Sequence, residues 1–169
     1  MKRIGMMLFV FVCLYTLLPG QSIAQPYSNS ISANPIGLAF GVLNATYENK
    51  LSPTNSFTIF GLYYGYTDWA AFGVGGSYRW YLDINEGKRP IEGLSVGPMA
   101  EFGFWSWSGP SYITNDGGAS FAIGGEVAYK WVFNKFVVEP IVRLSIPVVK
   151  IHGLTYHSFG GGVNLGYAW

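Results

Sequence analysis

Charge is what this sequence lacks. Only 11% of its 169 residues are Asp, Glu, Lys or Arg, against about 25% in a soluble globular domain. A domain this small has a large water-facing surface to cover, so the shortage argues against an ordinary soluble fold. It argues equally against a disordered chain, which would be charged and poor in aromatics; here 18% are aromatic. The formal charge is +1. No basic patch is available to meet phosphates, so nucleic acid is not an expected partner. Cysteine is nearly absent too. Cys13 stands alone, which excludes an intramolecular disulfide framework and cysteine-built zinc sites. The long apolar run of a membrane-spanning helix is also missing. The stretch Ile4 to Leu18 has 15 residues, short of the roughly 20 that such a helix needs. Glycine, with 23 residues, and hydrophobic residues, at 50%, are plentiful, and the length fits one domain.

The short apolar stretch reads as a secretory signal peptide. Lys2 and Arg3 form its basic start, Pro19-Gly20 breaks the helix, and Ser22-Ile23-Ala24 offers small residues where a signal peptidase reads. Cleavage is expected after Ala24, dividing the chain into a signal peptide at 1–24 and one domain at 25–169. A lipoprotein signal is set aside, because Cys13 lies inside the apolar run behind Val12, where a small residue would be expected. Cleavage removes Cys13, Lys2 and Arg3, leaving eight basic residues against nine acidic ones.

Beyond residue 25 no window carries a convincing 3.6-residue apolar period, whereas several alternate with period 2, the mark of strands with two unlike faces. Ser120 to Trp131 is the clearest, with Phe121, Ile123, Val127, Tyr129 and Trp131 on one face and Ser120, Ala122, Gly124, Glu126, Ala128 and Lys130 on the other. Ala70–Leu82, Gly93–Trp105, Phe136–Pro147 and Tyr156–Trp169 follow the same scheme. Leu43–Leu51 alternates less cleanly, Ser56–Tyr66 is apolar on both faces, and Ser30–Phe40 is the weakest of the set. The total is eight strands of about 9 to 14 residues, long enough to cross a bilayer when tilted. Short connections at Ser52–Asn55 and Asn134-Lys135 and a polar turn over Asp83–Pro90 fall at one end. The turn near Gly41, Thr67-Asp68, a long loop from Ser106 to Gly118, and Val148–Thr155 fall at the other. Long loops mostly at one end are a feature of outer-membrane barrels.

Alternation alone does not say which face is inside, and a soluble lipocalin-like barrel would turn the apolar face inward. The charge census favours the reverse. Glu48, Lys50, Arg79, Glu101, Glu126, Lys130, Glu139 and Arg143 all fall on polar strand faces. They are too few to wet an outer surface, but their signs balance, and burial of a charge requires a partner. The interior of an eight-stranded barrel is only wide enough for side chains to fill. These eight residues are therefore expected to form a lumenal charge network, with the apolar face on lipid. Aromatic residues cluster towards both ends, with Tyr63, Trp69, Phe72, Trp107 and Tyr112 at one and Trp80, Tyr129, Trp131, Phe133, Phe136, Tyr167 and Trp169 at the other. Two such girdles are expected of a membrane barrel. Pro98 and Pro140 fit poorly at mid-strand, where a closed barrel offers no free edge. They are expected to mark bulges or misplaced boundaries, and the Gly75-Gly76 and Gly160–Gly162 runs to supply the bends that closure needs.

The ending Leu165-Gly166-Tyr167-Ala168-Trp169 and the runs Gly97-Pro98-Met99-Ala100-Glu101, Glu139-Pro140-Ile141-Val142-Arg143 and Asn34-Pro35-Ile36-Gly37-Leu38 carry a resemblance over the whole mature chain. It resembles the eight-stranded outer-membrane barrels of the OmpA transmembrane-domain and OmpX-like type, and similar small barrels from Bacteroidetes. The resemblance implies an all-β, antiparallel up-and-down barrel in the outer membrane of a Gram-negative bacterium, with a lumenal network of acids and bases closing the pore. It implies that Leu165, Tyr167 and Trp169 form the terminal signal read by the barrel-assembly machinery. The partners expected are outer-membrane lipid and, in biogenesis, that machinery and periplasmic chaperones, with the barrel itself a monomer.

Catalytic chemistry finds little support. His157 and Ser158 are adjacent, so on a strand they point to opposite faces, and the two-residue His/Ser spacing of a deacylase-like barrel is absent. A metal site built on His152, His157 and Asp116 has no supporting pattern, and the Gly160–Gly162 run precedes no helix that could make a phosphate loop. No catalytic, cofactor or metal site is expected. The leading expectation is a non-enzymatic barrel that serves envelope structure or binds through its outer loops, with Trp105, Trp107, Tyr112 and Asp116 as the candidate surface. A narrow pore or small-solute transporter is the alternative, and a lipid A-modifying enzyme a more distant one.

Overall fold

The structure, a computed structural model, describes residues 27–66, 69–82, 91–107, 118–149 and 158–169. The expected signal peptide, His152, His157, Tyr112 and Asp116 lie outside these described residues. Eight antiparallel strands follow one another around a closed barrel. They are β1 (Asn29–Ala33), β2 (Val42–Lys50), β3 (Asn55–Tyr66), β4 (Trp69–Leu82), β5 (Gly93–Trp107), β6 (Gly118–Phe133), β7 (Phe136–Val149) and β8 (Ser158–Ala168), and a single helical turn, α1 (Pro35–Leu38), follows β1. The all-β, antiparallel, eight-stranded up-and-down architecture expected from the sequence is thus the observed one, and seven of the eight strands lie within a few residues of their expected bounds.

The first strand is the exception. Ser30–Phe40 is not one strand: β1 ends at Ala33 because Asn34 caps a helical turn, its side-chain oxygen accepting from Gly37 N at 3.0 Å. Pro35 takes the first helical position, where its fixed φ fits and its missing N–H costs nothing. Two-residue chemistry explains the β6–β7 hairpin. Asn134 (φ 45°) and Lys135 (φ 77°) both take left-handed backbone between β6 and β7, the pattern of a type I′ turn.

The mid-strand prolines are neither bulges nor boundary errors. The β4–β5 ladder runs to Ser77–Met99 and resumes at Trp80–Val96 in unchanged register. Pro98 thus suspends two pairs on one side while keeping Gly125 as its partner on the other. Pro140 does the same between Ala128–Ile141 and Trp131–Val138, and retains Val163 on β8. The register shift occurs elsewhere, between Phe121 and Ala122 opposite Pro147–Val149. The closest approaches also fall outside the glycine runs. A Cβ on Gly97 would strike the carbonyl of Tyr78, and one on Gly124 that of Leu144. Gly97→Ala is therefore expected to lower stability by about 1–3 kcal/mol, the usual cost of overpacking, read as a shift in urea midpoint. Gly61→Ala, with open space at its Cβ, serves as the control and should leave the midpoint in place.

The two faces are inverted relative to a soluble barrel. Outward positions carry apolar side chains: Ile31, Ile59, Phe72, Val74, Phe102, Ile123, Val127, Val142, Leu144 and Phe159 are all exposed. Inward positions carry Glu48, Arg79, Glu126, Lys130 and Glu139, each at most 3% exposed. Among the described residues, no outward strand position holds a charge. Outward aromatics gather near the turn end, with ring contacts Tyr78–Trp80, Tyr129–Trp131 and Tyr167–Trp169. At the same end an apolar plug of Tyr27, Tyr81, Ile91, Val132, Val137 and Ala168 fills the interior.

Candidate functional site

Above that plug, the pleat of seven strands aims polar side chains at one level of the lumen. Arg79 from β4 is the hub. Its Nε donates to Glu126 Oε1 at 2.6 Å, and its Nη1 to Glu48 Oε2 at 2.9 Å and Glu139 Oε1 at 2.5 Å. Lys130, two pleats down β6 from Glu126, donates to Glu48 and to Ser30 Oγ (3.1 Å), and its Nζ lies 3.8 Å from Glu139. Arg143 donates from Nε to Glu126 Oε2 at 2.9 Å, with its guanidinium 3.9 Å from the Phe60 ring centroid. Three carboxylates thus meet three cations, and the buried charges compensate one another.

Neutral groups satisfy much of the remainder. Ser56 and Tyr81 donate to Glu48 Oε1 at 2.5 and 2.6 Å. Ser77 donates to Glu126 Oε1 at 2.5 Å, and its hydroxyl lies 2.6 Å from that of Thr58. Asn164 donates to Glu139 Oε2 at 3.2 Å. Such satisfaction matters because a buried carboxylate lacking partners is costly. Tyr81→Phe is expected to cost about 1.5–3 kcal/mol, the range for a hydrogen bond to a charged group, measured by urea unfolding. Equal midpoints for the two proteins would show that the Tyr81 hydroxyl contributes nothing to holding Glu48.

The structure therefore brings together six of the eight expected lumenal charges. Glu101 lies nearer the loop end, where it accepts from Ser145 Oγ at 3.4 Å. Lys50 is half-buried on the inward face at the end of β2, apart from the cluster. Ser30, Ser56, Thr58, Ser77, Tyr81 and Asn164 complete the network beyond the expected charges. Their shared signal is a polar side chain at an inward position next to a charge.

Of the candidate loop surface, only Trp105 and Trp107 lie among the described residues. β5 runs on to Trp107, two residues past its expected end at Trp105, so Trp107 is a strand residue and not a loop residue. Trp105 is half-buried on the inward face and its Nε1 donates to Ser120 Oγ at 3.4 Å. At the other terminus Leu165 and Tyr167 face outward on β8, and the Trp169 ring stacks on Tyr167 at 6.1 Å and meets Tyr47 at 6.5 Å. The chain end is tied into the barrel as well, since Ser28 N and Asn29 N both donate to Trp169 O at 2.9 Å.

Towards the loop end the lumen widens into a cavity of about 170 Å³ lined by Phe60, Leu62, Met99, Glu101, Ile141 and Arg143, among others. Among the described residues no group of three His, Cys, Asp or Glu side chains is placed to hold a metal ion. No protein-family model matches the chain, and no curated protein matches it.

Proposed function

We propose that this chain is an integral outer-membrane barrel of the OmpA/OmpX-like type. In this reading it is exported by its signal peptide, and its lumen is closed to solutes by the ion cluster and the apolar plug beneath it. One observation carries the reading. Among the described residues, the outward strand positions are predominantly apolar and hold no charge, while the charges on the strands point inward. In water that arrangement would leave a wide hydrophobic surface uncovered. In lipid it meets the requirement that a closed barrel satisfy its own backbone and keep charge off the lipid face. The aromatic band at the turn end fits a membrane interface, and the terminal Tyr167–Trp169 pair fits recognition by an assembly machinery. The function that follows is non-enzymatic: a structural element of the envelope that binds, where it binds, through its outer loops.

Fractionation tests the location. The protein is expected in the outer-membrane pellet, with a folded band that migrates differently on a gel before and after boiling; a soluble periplasmic protein would overturn the reading. Planar-bilayer recording tests the closed lumen. Wild type is expected to show no steady conductance, and a stable open level would favour the pore instead.

A further inference from the structure

The barrel is closed by a short ladder. β1 pairs with β8 over only four positions, from Ser30–Ala168 to Ala33–Leu165. β8 continues through Ser158–Asn164 with β7 as its partner but with no β1 partner. On the far side Val42–Asn44 of β2 likewise extends past β1. In place of a strand, this part of the wall is the single turn α1, which contacts β2 and β8. The Asn34 amide lies where a Cβ of Gly162 would stand. Beside it the wall is formed by Gly160 and Gly161, which carry no side chains and are both exposed.

The loop-end cavity runs up to this stretch. Its lining includes Gly160, Gly161 and the outward-facing Phe159, which is 73% exposed, together with the lumenal Arg143, Glu101 and Asn34. Two charged groups there are incompletely used. The Nη2 of Arg143 is buried with no hydrogen-bond partner, although its Nε is committed to Glu126. Glu101 receives one long hydrogen bond, from Ser145, and pairs with no cation among the described residues. A ligand that offers an acceptor to the Arg143 Nη2 and a cationic donor to Glu101 would satisfy both. Apolar surface for its chain lies on Phe159 and on Ile36, Leu38 and Phe40 beside the seam, all exposed.

We propose that the β1–β8 seam is a lateral lipid-binding site. The zwitterionic ammonium–phosphate head of a lipid enters the cavity between Arg143 and Glu101, and its hydrocarbon chain passes out beside Gly160–Gly161. This rests on the membrane reading above. Outside a bilayer the seam would have no lipid to admit.

The test is native mass spectrometry of the folded protein in micelles, with 1-dodecanoyl-lysophosphatidylethanolamine, phosphoethanolamine or dodecanoate added separately. One lysophospholipid is expected to be retained by the wild type. Glu101→Gln, Arg143→Gln and Gly160→Val, the last placing a side chain at the slit, are each expected to cut the retained fraction at least tenfold. Glu101 and Gly160 lie outside the ion cluster, so their variants should keep the heat-modifiable folded band. That band separates loss of the site from loss of the barrel, and fractionation separates both from failure of the membrane reading. Retention that ignores all three substitutions would place the lipid on the outer wall and overturn the proposal. Equal retention of phosphoethanolamine would make the ligand a soluble zwitterion, and retention of dodecanoate alone would make it a simple anion; either result overturns the lipid assignment.

Discussion

Arg79→Ala is expected to destabilise the folded barrel by about 3–5 kcal/mol, the cost of removing one partner from a buried ion network. Arg79 is fully buried and reaches three carboxylates. Without it, Glu48 and Glu126 retain Lys130 and Arg143 respectively, but Glu139 retains only Lys130 at 3.8 Å and the amide of Asn164. Three negative charges would then face two positive ones in an interior closed to bulk water. The double variant Arg79→Met with Glu139→Gln should recover part of the loss, since replacing both members of a buried pair is far cheaper than orphaning one. Urea titration read by the folded-band fraction measures each variant. A loss below about 1 kcal/mol for Arg79→Ala would put the cluster in the class of solvated surface pairs and contradict the closed lumen.

The second large effect concerns the outer wall. Val127 is 49% exposed, faces outward between Val96 and Val142, and lies one residue from the buried Glu126. In water, Val127→Arg would be an exposed surface change worth within about ±0.5 kcal/mol. At the middle of a lipid-facing wall it is expected to cost about 2–4 kcal/mol. Phe133→Arg, on the same face at the turn end, is expected to cost only about 0–1 kcal/mol, because an arginine near the interface reaches water. The graded response in refolded vesicle samples is the informative quantity. Two equal, small effects would mean that both positions are wet.

These expectations rest on features that differ in how plainly they stand in the sequence. β6 and β7 carry the clearest alternation and are joined by Asn134-Lys135, so their faces follow from period. β1 is different. Asn34-Pro35 is a helix-start signal, yet a single turn is too short to produce a 3.6-residue pattern, and the stretch reads as a poor strand. The prolines mislead for another reason. A missing N–H at Pro98 or Pro140 affects one neighbour only, and the intact ladder on the opposite side holds the register. The charges show a similar division. Their face is fixed by parity along each strand, but which acid meets which base depends on the stagger of strands around the closed barrel. Arg79 and Glu139 are three strands apart in sequence order and 2.5 Å apart in the lumen. Glu101 and Lys50 share the face but not the level, which no single-strand pattern records.

The central claim is that the outward face of these strands is a lipid face. Nitroxide scanning of β6 tests it most directly, because Cys13 is the only native cysteine and lies in the segment expected to be removed. Labels at Ile123, Val127 and Trp131 in lipid vesicles should be accessible to oxygen and shielded from a water-soluble nickel chelate, with the inward position Ala128 shielded from both. Ready access of the nickel chelate to Val127, equal to that at a loop position, would contradict it.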